Sequence, residues 1–291
     1  MGCATISAVT TILSIQSSVA YGHVGNSAAT FPLMRLGVEV WPVLTVHFSN
    51  HTGYGAWRGP LLAASDVADV VRGIDERGVL GQVDAVLSGY QGAEEVGAEI
   101  LNAVALVKQR NPDAIYCCDP VMGDVGRGFY VRPGIPEFMR DAVVPAAQIV
   151  TPNQFELDFL TGRQTRTLDD LLAAAQALRA TGPEVVLVTS AILEGSDPSS
   201  VLMLAVDGNA AWTVTTPLLD NTFTGSGDIT AAIFLAHYLR TGELAAALEN
   251  TAAAVYSVLK ATTDAQSAEL SLVAAQEELV RPSHTFTAVS L

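Results

Sequence analysis

Asp84-Ala85-Val86-Leu87-Ser88, a stretch of helical period from Ala93 to Arg110, and Ile115-Tyr116-Cys117-Cys118-Asp119 together read as strand, crossover helix, strand. Both short runs are apolar almost throughout, the pattern of strands covered on both faces. Two such strands joined by a helix of this length run parallel. The alternation extends outward in both directions. Strand-like runs are Thr11 to Ile15, Val38 to Thr45, Gln148 to Thr151 and Glu184 to Ser190; helix-like stretches are Asn153 to Thr161, Leu168 to Ala180, Gly227 to Arg240 and Leu244 to Leu259. The expected fold is three-layer α/β/α, a mostly parallel central sheet with helices on both faces. From Ser200 to Val214, two strand-like runs flank Asp207-Gly208-Asn209, a hairpin signal that predicts an antiparallel edge. No linker, repeat or low-complexity tract divides the chain, so residues 1–291 read as a single domain.

Composition excludes several function classes. The 291 residues are 49% hydrophobic, enough for a large core, and the formal net charge of −15 repels nucleic acid and anionic membrane surfaces. No run approaches the roughly 20 apolar residues that span a bilayer. The N-terminus lacks the basic region and long apolar run of a signal peptide, so a cytoplasmic protein is expected. Met1-Gly2-Cys3 invites a myristoylation reading, but Ile6 stands where that pattern needs Ser or Thr. Cys3, Cys117 and Cys118 offer no disulfide framework or metal spacing, and the adjacent pair should face opposite sides of a strand. Lys108 and Lys260, the only lysines, sit outside any glycine-rich setting and read as solvated helix-end residues. That removes P-loop enzymes, protein kinases and Schiff-base enzymes, all of which need a placed lysine.

Ligands of open α/β sheets bind beyond the carboxyl ends of the strands, and polar residues collect there. Ser17, Asn50 to Gly55, Ser88-Gly89-Tyr90, Asp119, Thr151-Pro152-Asn153 and Thr189-Ser190 each follow a strand. The strongest local motif is Phe223-Thr224-Gly225-Ser226-Gly227-Asp228, which runs directly into an apolar helix. Close glycines let backbone N–H groups converge, and the helix N-terminus adds partial positive charge, so the motif suits a transferring phosphoryl group. Asp228 stands where a general base would take a hydroxyl proton; read alone, it serves equally as a capping carboxylate. Asp119, Asp124 and Glu156 could hold Mg²⁺ through waters, or be caps and loop acids. Gly123 to Pro133, with Arg127, Phe129 and Tyr130, suits a lid or an ordinary surface loop. His47 and His51 have metal-pair spacing without an accompanying acid or cysteine, and Gly22 and Gly25 lack the third glycine of a dinucleotide fingerprint.

Taken in register, these stretches resemble the pyridoxal kinases of the ribokinase-like superfamily. The resemblance rests on Ile12 to Asn26, Phe48-Ser49-Asn50-His51-Thr52-Gly53-Tyr54-Gly55, Leu87-Ser88-Gly89-Tyr90, Cys118 to Asp124, Thr151 to Glu156 and the tail Glu269 to Gln276, and spans nearly the whole chain. It implies ATP-dependent phosphorylation of the 5'-hydroxyl of a B6 vitamer in vitamin B6 salvage, by a homodimer. Ser17, Val19, Thr52 and Tyr90 would hold the pyridine ring, Asp228 would take the proton, and Gly225, Ser226 and Gly227 would form the anion hole. ATP would meet Asn153, Glu156, Thr189, Ser190, Leu218, Leu219, Thr224, Gly225 and Gly227, with Tyr130 on a lid at about 123–133. Cations, Mg²⁺ and K⁺ or another monovalent ion, would sit near Asp119, Asp124, Thr151 and Glu156. The chain departs from some members at Thr189, where they carry lysine, at Thr216-Pro217-Leu218, where they carry Arg-Pro-Leu, and at Ser18, where histidine is frequent. Alternatives are a hydroxymethylpyrimidine kinase, which typically carries cysteine in place of Asp228, and a non-catalytic vitamer-binding protein.

Overall fold

The computed structural model describes residues 9–291; the readings of Met1-Gly2-Cys3 and of the N-terminal leader lie outside the described residues. The first half runs β1 (Thr11–Val19), α1 (Asn26–Arg35), β2 (Glu39–Phe48), α2 (Ala64–Glu76), β3 (Ala85–Ser88), α3 (Glu94–Arg110) and β4 (Ile115–Cys118). A small hairpin, β5 (Gly123–Asp124) and β6 (Gly128–Phe129), precedes α4 (Ile135–Phe138), a π turn (Met139–Val143) and α5 (Val144–Ala146). Then come β7 (Ile149–Val150), α6 (Gln154–Thr161), α7 (Leu168–Arg179), β8 (Val185–Ala191), β9 (Ser200–Val206), β10 (Ala211–Pro217), α8 (Ser226–Thr241), α9 (Leu244–Asp264) and β11 (Val289–Ser290).

Among the described residues, nine strands share one sheet in the order β11-β10-β9-β8-β7-β4-β3-β1-β2. The six strands from β2 to β8 pair in parallel, as the apolar runs predict. The antiparallel edge is wider than the sequence suggests, because β9 is antiparallel to both β8 and β10, and β11 pairs antiparallel with β10. The expected turn is present: Asp207 Oδ1 accepts the Asn209 and Ala210 N–H groups at 2.7 and 2.8 Å.

Strand residues alternate between the two layers. Leu13, Ile15, Val86, Cys118, Val150, Val186 and Val188 pack under α2, α3, α6 and α7, while Ile12, Ala85, Leu87, Cys117, Ile149, Val185 and Leu187 pack against α1, α8 and α9. Cys117 and Cys118 are fully buried on opposite faces, as their adjacency implies. The lysines differ from expectation. Lys108 is half-buried and donates to Gln148 Oε1 at 2.7 Å, and desolvation lowers its pKa. Lys260 lies inside α9, which runs on to Asp264, and pairs with that residue at 2.6 Å.

Candidate active site

The switch in strand order falls at β1, which sits between β2 and β3, and a cavity of about 350 Å³ opens beyond the carboxyl ends of the parallel strands. Ser17, Val19, Thr52, Tyr90, Asp119, Asp124, Tyr130, Thr151, Asn153, Glu156, Thr189, Ser190, Thr224, Gly225, Ser226, Gly227 and Asp228 all line it. Leu218 and Leu219 do not. Leu218, 44% exposed, follows the end of β10, where its N–H donates to the Ser199 carbonyl at 2.7 Å.

At one end, apolar Val19, Val46 and Phe48 stand with Ser17, Thr52 and Tyr90. Ser17 is brought inward where the β1–β2 register shifts between Gln16 and Ser18. The following loop folds back so tightly that a Cβ on Gly25, at φ 52°, would strike both the Ser17 carbonyl and its Oγ. Thr52 opens a 3₁₀ turn (Thr52–Tyr54). The Tyr90 backbone is held by Thr45 Oγ1, which donates to its carbonyl at 2.7 Å.

At the other end lies the start of α8. Gly225 occupies the cap position at φ 91°, where a Cβ would strike the His23 carbonyl. Asp228 is the third helical residue, not the cap, and its carboxylate stands near the backbone N–H of Gly25. Burial raises its pKa to about 6, against the opposing pull of the Gly25 and Asp228 backbone N–H groups. The Ser226 N–H turns toward the Phe223 carbonyl at 3.3 Å, a departure from an anion hole shared equally by Gly225, Ser226 and Gly227.

Between the two ends the acids converge. Asp119 is buried, and its Oδ1 accepts the Thr151 hydroxyl at 3.2 Å. Its Oδ2 lies 3.9 Å from where a Cβ on Gly227 would stand. Burial, then the charges of Glu156 and Asp228, hold its pKa well above the usual carboxylate range. Glu156 is differently employed: Oε1 accepts the Met122 and Gly123 N–H groups at 2.9 and 3.4 Å, and Oε2 accepts the Asn153 N–H at 3.0 Å. Asn153 caps α6 through Oδ1 and donates from Nδ2 to the Gly123 carbonyl at 2.8 Å. Segment 123–130 is therefore a hairpin latched to α6, with Phe129 packed edge-on against Phe155 and Phe159. Among the described residues no group of three or more acids, histidines or cysteines could hold a metal directly. The hard oxygens of Asp119, Asp124 and Thr151 nevertheless suit an ion such as Mg²⁺ that keeps most of its water, and a cation would relieve the repulsion recorded at Asp119.

The lining also includes Val24, Val46, Phe48, His51, Gly53, Val121, Arg127 and Phe223, which carried no assigned role. Arg127 is the one arginine among these lining residues; its lid position was the signal for it. His51 pairs with Glu269 and not with His47, so the metal-pair spacing is incidental.

The chain matches the family described as phosphomethylpyrimidine kinase over residues 67–272. A relative named pyridoxal kinase PdxY from Rubrobacter xylanophilus is 59% identical over 276 residues, 94% of this chain and 95% of the relative. Another of that name from Leifsonia xyli subsp. xyli is 56% identical, covering 94% of this chain and 97% of the relative. Among solved structures, pyridoxal kinase from Leishmania donovani in complex with ADP and ginkgotoxin superposes with a TM-score of 0.91 at 29% identity, covering 97% of this chain and 99% of that one.

Proposed function

The chain belongs to the pyridoxal kinases, within the phosphomethylpyrimidine kinase family, and from that membership we propose how its residues carry the reaction. It is an ATP-dependent kinase that transfers a phosphoryl group to the 5'-hydroxyl of pyridoxal, giving pyridoxal 5'-phosphate and ADP. Ser17, Val19, Thr52 and Tyr90 receive the pyridine ring. Asp228 accepts the 5'-hydroxyl proton as the alkoxide oxygen bonds to the γ-phosphorus and the bond to ADP breaks. Backbone N–H groups at Gly225 and Gly227 and the N-terminus of α8 stabilise the charge on the transferring group. Asn153, Thr189, Ser190 and Thr224 line the nucleotide end, and Tyr130 and Arg127 cover the phosphates from the lid.

Mg²⁺ near Asp119, Asp124 and Thr151, with K⁺ or another monovalent cation, would supply charge to the β- and γ-phosphates. The chain lacks a lysine there. Glu156 contributes by fixing the loop that carries Asp124. We also propose a single ribokinase-like kinase domain with its lid at about 123–133, acting in the cytoplasm as a homodimer, the commonest closed oligomer. Light scattering at twice 30.5 kDa is the expected result.

One observation carries this reading: Asp228, with its raised pKa, stands in the same cavity as Ser17, Thr52 and Tyr90 and beside the Gly225 turn. A kinase assay on pyridoxal, pyridoxine, pyridoxamine and hydroxymethylpyrimidine tests it directly. Phosphorylated pyridoxal is expected; phosphorylation of hydroxymethylpyrimidine alone, or binding without turnover, would favour one of the two alternatives.

A further inference from the structure

Glu269 lies in the tail beyond α9 and is not part of the cavity wall, yet it touches two of the segments that form it. Its Oε1 accepts the Tyr54 hydroxyl at 2.7 Å and stands 3.2 Å from His51 Nε2, while Oε2 accepts the His23 N–H at 3.0 Å. The side chains of Glu269 and His51 are only 11% and 13% exposed. The loop after β1 is shaped around this carboxylate, because a Cβ on Gly22, at φ 92°, would strike it. Leu270 follows, with a methyl carbon 3.3 Å from where a Cβ on Gly225 would stand. The tail therefore abuts both the ring end and the phosphoryl end of the site.

The turn carrying Thr52 needs such a tie. It is a three-residue 3₁₀ turn with no side-chain cap, and Thr52 itself is exposed. Turns of this length have poor hydrogen-bond geometry and little stability of their own. The contact with Glu269 engages His51 through Nε2. Nδ1 is buried without a hydrogen-bond partner among the described residues, so His51 gains no second anchor from the protein.

We propose that Glu269 is a positioning residue for the vitamer, an inference resting on the pyridoxal kinase reading. Its carboxylate holds the turn of His51 to Tyr54 and the loop of Gly22 and His23 at one separation, so that Thr52 and Ser17 meet the ring together. It acts through Tyr54, His51 and the His23 backbone, without touching substrate.

The test is steady-state kinetics of Glu269→Ala, Glu269→Gln, Tyr54→Phe and the Tyr54→Phe/Glu269→Ala double variant. Loss of the charge-assisted bonds should raise KM for pyridoxal by about 10- to 100-fold. KM for ATP and kcat should stay near parental values. Glu269→Gln retains an acceptor for the His23 N–H and should recover part of the loss; it also carries the test if the alanine variant does not fold. Glu269→Ala should matter less in the Tyr54→Phe background than in the parent. A fall in kcat alone, an equal rise in both KM values, or strictly additive effects would overturn the inference while leaving the kinase reading intact. A parent that does not phosphorylate pyridoxal would overturn both.

Discussion

The carboxylate of Glu156 accepts the Met122 backbone N–H at 2.9 Å, tying α6 to the start of the lid hairpin. The same group also serves the N–H groups of Gly123 and Asn153, so its removal leaves three backbone donors short of an acceptor. Leaving one buried donor unpaired costs about 1–3 kcal/mol. Glu156→Ala should therefore lower stability by at least that much in urea unfolding and speed amide exchange from Met122 to Tyr130. Unchanged exchange in that segment would mean the latch does not restrain the lid.

Asp228 stands at the third position of α8 with its pKa raised to about 6 by burial. Replacing a positioned general base costs roughly 10²- to 10⁴-fold in turnover, so Asp228→Asn should lose that much while still binding ATP. The active base is the carboxylate, so kcat/KM should fall as pH drops through about 6 and level off above it. Turnover of Asp228→Asn within a few-fold of the parent, or a flat acid limb, would reduce Asp228 to a structural carboxylate.

Asp119 carries a stability cost that its function explains. Its folded pKa is raised by burial and by Glu156 and Asp228, so the folded state holds that proton more tightly than the unfolded chain does. Stability from this group is full below the unfolded pKa and is lost as pH rises toward the folded value. Asp119→Asn keeps an acceptor for the Thr151 hydroxyl and removes the charge. Without divalent cation, the variant should melt about 2–4 °C higher than the parent for each kcal/mol relieved, with a larger gap at pH 8 than at pH 5. Added Mg²⁺ should stabilise the parent more than the variant. Equal responses would place the cation elsewhere.

Asp124 is exposed on β5 and accepts the Val125 N–H at 2.7 Å, a light structural duty. Asp124→Ala should therefore fold normally and raise the Mg²⁺ concentration for half-maximal rate more than the pyridoxal requirement. Superimposable Mg²⁺ titrations at saturating pyridoxal would leave Asp124 a solvated loop acid.

Much of the fold was legible because the central strands are apolar on both faces and their partners alternate cleanly between layers. Helices α1 and α2, and the short α4 and α5, were not. In α1, Pro32 and a sequence of small and polar residues blur any helical stripe, and the element owes its place to Ala29 and Leu33 packing on the sheet. In α2, Val67, Val71 and Ile74 do fall at helical spacing, with Asp66 bonding the Ala63 N–H at the start, so the sequence does carry a helical signal there. Site residues that end strands were legible for the same reason as the strands. Those supplied by distant chain were not: nothing near Tyr54 in sequence announces that its hydroxyl meets Glu269, 215 residues away. The split duty of Glu156, equally, follows from three backbone N–H directions that composition does not encode.

The position of the Glu269 contact also sets when the enzyme becomes competent during its own synthesis. Every group assigned to nucleotide and phosphoryl transfer, up to Asp228, is translated before α9 and the tail. A nascent chain can therefore assemble the sheet from β1 to β10 and the start of α8 while the vitamer turn still lacks its tie to the His23 loop. A premature stop between α9 and Glu269 would remove that tie together with Leu270, Leu272 and Leu279, which pack against Ile229 and Ile233 of α8, so both ends of the site would lose support at once and nucleotide binding and vitamer binding should fail together.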